Sequence, residues 1–166
     1  MVVRGNAVLE KIVSGGQTGV DRAALDAARL ACLALGGWAP KGREAEDGVI
    51  PDRYPLDECG QGGYEERTRL NIRDSDATLI LVLGRPPEDT GDGTQLTVQW
   101  ADTLSMPYVV IDLDQPTDAE GVAEWIRGSG VRVLNVAGPR ESAAPGIYAA
   151  AEEFLTTVLS FIQPRP

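Results

Sequence analysis

Val8-Leu9-Glu10-Lys11-Ile12-Val13-Ser14-Gly15-Gly16-Gln17-Thr18-Gly19-Val20 changes character halfway along. Residues 8–13 form a short apolar run that ends on Ser-Gly-Gly, so they read as a strand followed by a sharp turn. From Val20 onward the period changes. Val20, Ala23, Ala24, Ala27, Ala28, Ala31, Cys32 and Leu35 recur on one helical face, which predicts a helix over 20–35 closed by Gly36-Gly37. That face is mostly small, as suits a helix lying close on a sheet.

The alternation continues outward. Residues 37–63 are the least regular part, rich in Gly and Pro, with a short strand expected near 37–39. A loop this long inside a compact fold is usually functional. Residues 64–73 read as a polar helix. Residues 77–83 (ATLILVL) read as a central parallel strand buried on both faces. Next come a turn-rich stretch over 84–93, a helix over 94–105 stopped by Pro107, and a strand over 108–113. A helix over 117–128 has Thr117 as its cap and Glu120 three residues on. A strand over 131–136, a loop over 138–146 and a helix over 147–162 complete the series. Strand–helix alternation with apolar strands predicts an α/β fold in one domain spanning 1–166: a mainly parallel sheet of about five or more strands, with helices on both faces in three layers.

The 166 residues are 43% apolar and 24% charged, near globular averages, so a core can form without a staple. Histidine is absent, which excludes Ser-His-Asp triads, Cys-His pairs and HExxH zinc sites. The net charge of −10 disfavours nucleic acid and anionic membranes as partners. The longest apolar run is too short to span a bilayer. Cys32 lies in an Ala-rich helical stretch and is expected to be buried; Cys59 lies in a polar loop. They form no CxxC pair, so they read as free thiols of a reduced, cytoplasmic protein.

In sheets of this kind ligands bind outside the carboxyl ends of the strands. The loops expected to matter are 14–19, 38–53, 84–94, 112–117 and 137–146. Ser14, Gly15, Gly16, Gln17, Thr18 and Gly19 join the first strand to the first helix. Glycines let backbone approach a ligand, and the helix N-terminus that follows favours an anion. Thr18 doubles as a candidate N-cap. Asp21 sits in the first turn and opposes that field; it can receive a ligand hydroxyl or pair with Arg22. Lys41, between Pro40 and Gly42, is one of two lysines and a candidate phosphate contact, with Arg43 beside it. Gly93 and Thr94 repeat the glycine-then-hydroxyl pattern before a second helix. Arg140 follows the last strand as a candidate anion clamp, or as a partner of Glu141. Arg67, Asn71 and Asp74 share a helix face that spacing alone assigns to solvent. No catalytic residue or metal ligand set is assigned.

Several ordered blocks resemble the molybdenum-cofactor carrier protein family. They include Gly15-Gly16-Gln17-Thr18-Gly19-Val20-Asp21-Arg22-Ala23-Ala24, Gly37-Trp38-Ala39-Pro40-Lys41-Gly42-Arg43 and Glu46-Asp47-Gly48. They continue with Arg67-Thr68, Asn71 and Arg73, Asp74-Ser75-Asp76-Ala77-Thr78-Leu79, Gly93-Thr94 and Asn135-Val136-Ala137-Gly138-Pro139-Arg140-Glu141-Ser142. The resemblance covers nearly the whole chain. It implies a Rossmann-like domain of the SLOG superfamily that binds pterin-phosphate or nucleotide ligands, molybdenum cofactor among them, and assembles as a homo-oligomer (dimer or tetramer). Arg73 joins the candidate ligand residues as an added positive charge. Phosphoribohydrolases of the same superfamily carry Gly-Gly-x-Gly-Thr with a Glu three residues after the Thr; here Thr97 stands at the Glu position. The expected function is therefore binding of an anionic, phosphate-bearing small molecule. The alternatives are a nucleotide N-glycosidase using Asp92 or Asp21, and a nucleotide sensor.

Overall fold

A computed structural model describes residues 8–89 and 93–163. In chain order its elements are β1 (Lys11–Val13), α1 (Val20–Leu30), β2 (Ala34–Gly36), β3 (Trp38–Ala39), β4 (Glu44–Ala45), β5 (Gly48–Val49) and β6 (Asp57–Glu58). There follow α2 (Tyr64–Arg73), β7 (Ala77–Val82), α3 (Thr94–Thr103), β8 (Tyr108–Asp112), α4 (Ala119–Gly128), β9 (Val133–Ala137) and α5 (Ile147–Ile162). Five strands build one parallel sheet in the order β2-β1-β9-β7-β8. β7 is an interior strand, buried at every residue, but the middle position belongs to β9, the last strand in sequence. If β9 were counted first, the order would be 3-2-1-4-5, that of dinucleotide-binding sheets.

Alternation along β7 and β9 sorts the two faces. Leu79, Leu81, Leu134 and Val136 face the main core, which α1, α4 and α5 cover. Thr78 and Asn135 point the other way, toward the layer made by α2 and α3. They are register partners, and Asn135 Nδ2 donates to Thr78 Oγ1 at 3.2 Å. One face of the sheet is thus apolar, while the other sets the polar pair Thr78 and Asn135 beside Ile80 and Val82. Leu25, Ala39, Ile50, Tyr54 and Leu56 form a second, smaller core under the 40–56 loop.

Three local expectations are corrected. The first helix ends at Leu30, not at 35, because Cys32 adopts a left-handed conformation (φ 56°) and closes it. The Cys32 amide donates to Arg29 O and the Leu33 amide to Ala28 O, the paired bonds of a Schellman cap. Residues 34–36 are thereby released to become β2, a sheet edge, and Cys32 is exposed while Cys59 is buried. The strand expected near 37–39 is present as β3, and it pairs with β6 outside the main sheet. The fourth helix is capped by Asp118, whose Oδ1 accepts from the Gly121 amide at 2.9 Å, so Thr117 lies outside it.

Candidate functional site

β1 and β9 hand their chain to helices on the apolar side of the sheet, whereas β7 leads to α3 on the other side. A crevice opens at the carboxyl ends of β9 and β7, the switch point of the sheet. It is a cleft of about 200 Å³. Gly15, Gln17 and Asp21 line one wall, Tyr64, Arg67, Thr68 and Asn71 of α2 a second, and Gly93, Thr94 and Thr97 a third. Asn135, Ala137, Gly138 and Arg140 supply the floor and the far rim.

Of the residues singled out from the sequence, the structure brings Gly15, Gln17, Gly93, Thr94 and Arg140 together in this cleft. Gly15 is small for a stated reason: a Cβ there would stand 2.6 Å from Arg67 Cδ and 2.9 Å from Asp21 Oδ2. Arg67 crosses the loop through that gap. Its Nη1 lies 3.4 Å from Gly15 O and 3.9 Å from Asp21 Oδ2. Asp21 also accepts from the Gln17 amide at 3.3 Å. The wall therefore offers a buried carboxylate and a partly buried guanidinium side by side. Opposite it, α3 turns its N-terminus, the positive end of its dipole, to the cleft.

The other candidates sit elsewhere. Ser14 is fully buried and its Oγ donates to Val136 O at 2.6 Å, pinning β1 to β9. Gly16 has φ 77° and turns toward Leu56 and Ile50 of the second core, away from the cleft. Gly19, not Thr18, is the N-cap of α1. Thr18 Oγ1 donates to Glu46 instead. Lys41 is exposed in the 41–43 turn. Arg73 is paired with its neighbour Asp74 at 2.7 Å on the surface. Arg43 is spent on structure: its guanidinium donates to the carbonyls of Ile50, Pro51, Tyr54 and Leu56 at 2.8–3.2 Å. Arg140 faces Glu46 at 3.5 Å. Gly91 and Asp92 lie outside the described residues.

The helix face assigned to solvent is the clearest reversal. Asn71 is buried, accepting from the Trp38 amide at 2.8 Å and donating to Trp38 O at 3.1 Å, so it stands in for a strand partner beside the cleft. The i, i+4 spacing of Arg67 and Asn71 was the available signal. Nothing local distinguishes a helix face turned to water from one turned to a polar crevice.

A two-residue hairpin turn locks the rim. β4 and β5 pair antiparallel around Glu46-Asp47. Glu46 accepts from Thr18 Oγ1 and from the amide and Oγ of Ser142, while Asp47 takes both Nη atoms of Arg22. Burial raises the Glu46 pKa, but the bonds from Ser142 and Thr18 and the charge of Arg140 outweigh it and hold the carboxyl below its ordinary value. The hydrogen bond from Arg22 does the same for Asp47.

An open, all-parallel α/β sheet with a polar crevice at its switch point defines the class. The Circularly permutated YpsA SLOG family matches residues 12–159, and the chain belongs to it. Its sheet order agrees with that description, since β9 occupies the place of a first strand. The chain is also similar to a solved protein from Syntrophus aciditrophicus, named "Putative molybdenum carrier protein": 41% identity over 94% of this chain and 98% of that one, with a TM-score of 0.84. Among curated proteins, none matches. Among the described residues, no helix is long and apolar enough to cross a membrane.

Proposed function

We propose that this protein holds an anionic, phosphate-bearing small molecule in the cleft, with molybdenum cofactor as the first candidate and a nucleotide as the second. The observation that carries the reading is convergence. The loop after β1, the loop after β9, the N-terminus of α3 and Arg67 meet at one crevice. Gly15, Gln17, Gly93 and Thr94 contribute backbone and polar groups, with Arg67 and Arg140 as charges. The similar protein from Syntrophus aciditrophicus, named for molybdenum carriage, supports the choice of cargo.

Holding, rather than hydrolysis, is favoured by the lining. Thr97 brings a hydroxyl to the cleft at the position where the hydrolases of the superfamily place a carboxylate. Asp21 is the one carboxylate that the described residues add to the lining, and it is engaged by the Gln17 amide and faces Arg67. That arrangement suits an acceptor for a ligand hydroxyl or ring N–H.

A ligand present at 100 times its Kd stabilises the native state by about 2.7 kcal/mol. A thermal-shift panel of molybdopterin, molybdate, AMP, ADP-ribose and nucleoside monophosphates is expected to show a rise in Tm for at least one phosphate ester and none for molybdate alone. No shift with any of them sinks the proposal. Homo-oligomeric assembly belongs to the same reading; sedimentation with and without the active ligand checks it and separates a passive holder from a sensor.

A further inference from the structure

Tyr64 opens α2 directly after Gly62-Gly63 and lines the cleft, yet it is 45% exposed. Two other tyrosines are tied by their hydroxyls: Tyr54 and Tyr148 both donate to Asp26, at 2.9 and 2.5 Å. The Tyr64 hydroxyl has no hydrogen-bond partner among the described residues. What its ring does touch is a cation: the Arg67 guanidinium carbon lies 5.0 Å from the ring centroid. Arg67 is itself clamped between this ring and the backbone of Gly15, with only 13% of its side chain exposed. The ring is thus oriented by a fixed charge on one side, with nearly half of the residue's surface open at the mouth of the cleft. Exposed aromatic surface beside a partly buried cation favours a planar, electron-rich ring as the missing neighbour.

The adjoining wall has the same preference. A bare anion gains from Arg67 and the α3 N-terminus but is repelled by Asp21. A molecule that carries an anion at one end and N–H or O–H donors at the other satisfies both.

We propose that Tyr64 is the stacking wall for a nitrogen heterocycle carried by the phosphate-bearing ligand, so that the cleft prefers phosphate esters of purines or pterin-like rings over plain sugar phosphates. This rests on the cleft being an anion site. The test separates the two ideas. Titration calorimetry of the full chain compares ribose 5-phosphate, AMP and GMP, the last sharing the amino-oxo edge of a pterin. The native protein is expected to bind at least one nucleotide about tenfold or more tighter than ribose 5-phosphate, the range of one aromatic–base stack. Tyr64→Ala is expected to erase that gap by lowering nucleotide affinity far more than ribose 5-phosphate affinity, while Tyr64→Phe keeps it. Equal affinities for all three ligands in the native protein, or an intact gap in Tyr64→Ala, overturn the stacking role and leave the anion site standing. Loss of ribose 5-phosphate binding in Tyr64→Ala makes the ring a prop for Arg67, which also overturns it. Failure of all three ligands to bind overturns both ideas.

Discussion

Gly15 and Gly16 are adjacent and look interchangeable in the sequence, but they serve different surfaces. A methyl at Gly15 meets the flexible stem of Arg67, while its backbone has no need of a positive φ. Gly15→Ala is therefore expected to push Arg67 off its seat and weaken phosphate-ester binding about tenfold, with Tm nearly unchanged; calorimetry paired with a melting curve reads both. A methyl at Gly16 is strained at φ 77° and lands 2.6 Å from Leu56 Cδ1 in the second core. Gly16→Ala is expected to cost about 1–2 kcal/mol of stability through the left-handed backbone alone, measured by urea unfolding. Arg43 makes the same distinction among charges. Its planar fork reaches four carbonyls at once, so Arg43→Lys cannot replace it. The expected loss is about 2–3 kcal/mol, with phosphate affinity kept in the fraction that stays folded. A lysine variant as stable as the native protein rules out this bracing role.

In the β4–β5 hairpin Glu46 ties the loops after β1 and β9 together, and Asp47 holds Arg22 of α1. Both carboxylates are held below their ordinary values of 4.5 and 3.8 in the folded protein. A carboxyl whose pKa is lower in the folded state stabilises fully above its unfolded pKa and loses that contribution as pH falls toward the folded value. Stability is therefore expected to hold from pH 7 to about 5 and to decline below the ordinary carboxylate range. Glu46→Gln should lower stability by about 1–2 kcal/mol at pH 7, and the gap to native should narrow as the pH drops to 3.5 in a series of urea titrations. A gap that stays constant with pH means that Glu46 does not act through its charge. None of these bonds was legible in the sequence, where Glu46 and Asp47 stand out only as part of the Glu46-Asp47-Gly48 block of the family resemblance. Elements with strong period or strong boundaries were legible: α2 and α5 lie where spacing put them, and the continuous apolar run at 77–83 is an interior strand. The end of α1 was not. Cys32 in a left-handed cap carries no local signal, whereas Gly36-Gly37 looks like the natural stop. The glycine loops were legible as a class because backbone freedom is written in composition. Which of their faces meets the cleft depends on Arg67, Ile50 and Leu56, contributed from 34 to 52 residues away.

The order of strands is a property of the whole molecule, and it explains how a late segment completes a site begun at residue 15. β9 inserts between β1 and β7, so its Asn135 meets Thr78 and its following loop closes on the glycine loop. α5 leaves the carboxyl edge of the sheet after β9 and crosses it against α1, so it finishes at the edge where β1 starts. The turn between α4 and β9 lies on that same edge, where the Glu10 and Lys11 amides both donate to Arg132 O. The β9-first order can therefore be tested by rearranging the covalent chain. A variant that starts at Gly130, joins residue 163 to residue 8 through the ten residues 164–166 and 1–7, and ends at Ser129 would carry the strands in the order 3-2-1-4-5. Loop closure over so short a span changes little in free energy. The permutant is therefore expected to unfold in one cooperative transition, with a Tm within several degrees of the native chain, and to keep its phosphate-ester affinity. One transition in both proteins is also what a single domain over residues 1–166 requires, whereas two separated transitions in either would divide it. A permutant that folds yet loses binding would mean that the native connection at 128–132 holds β9, and with it the cleft floor, in register.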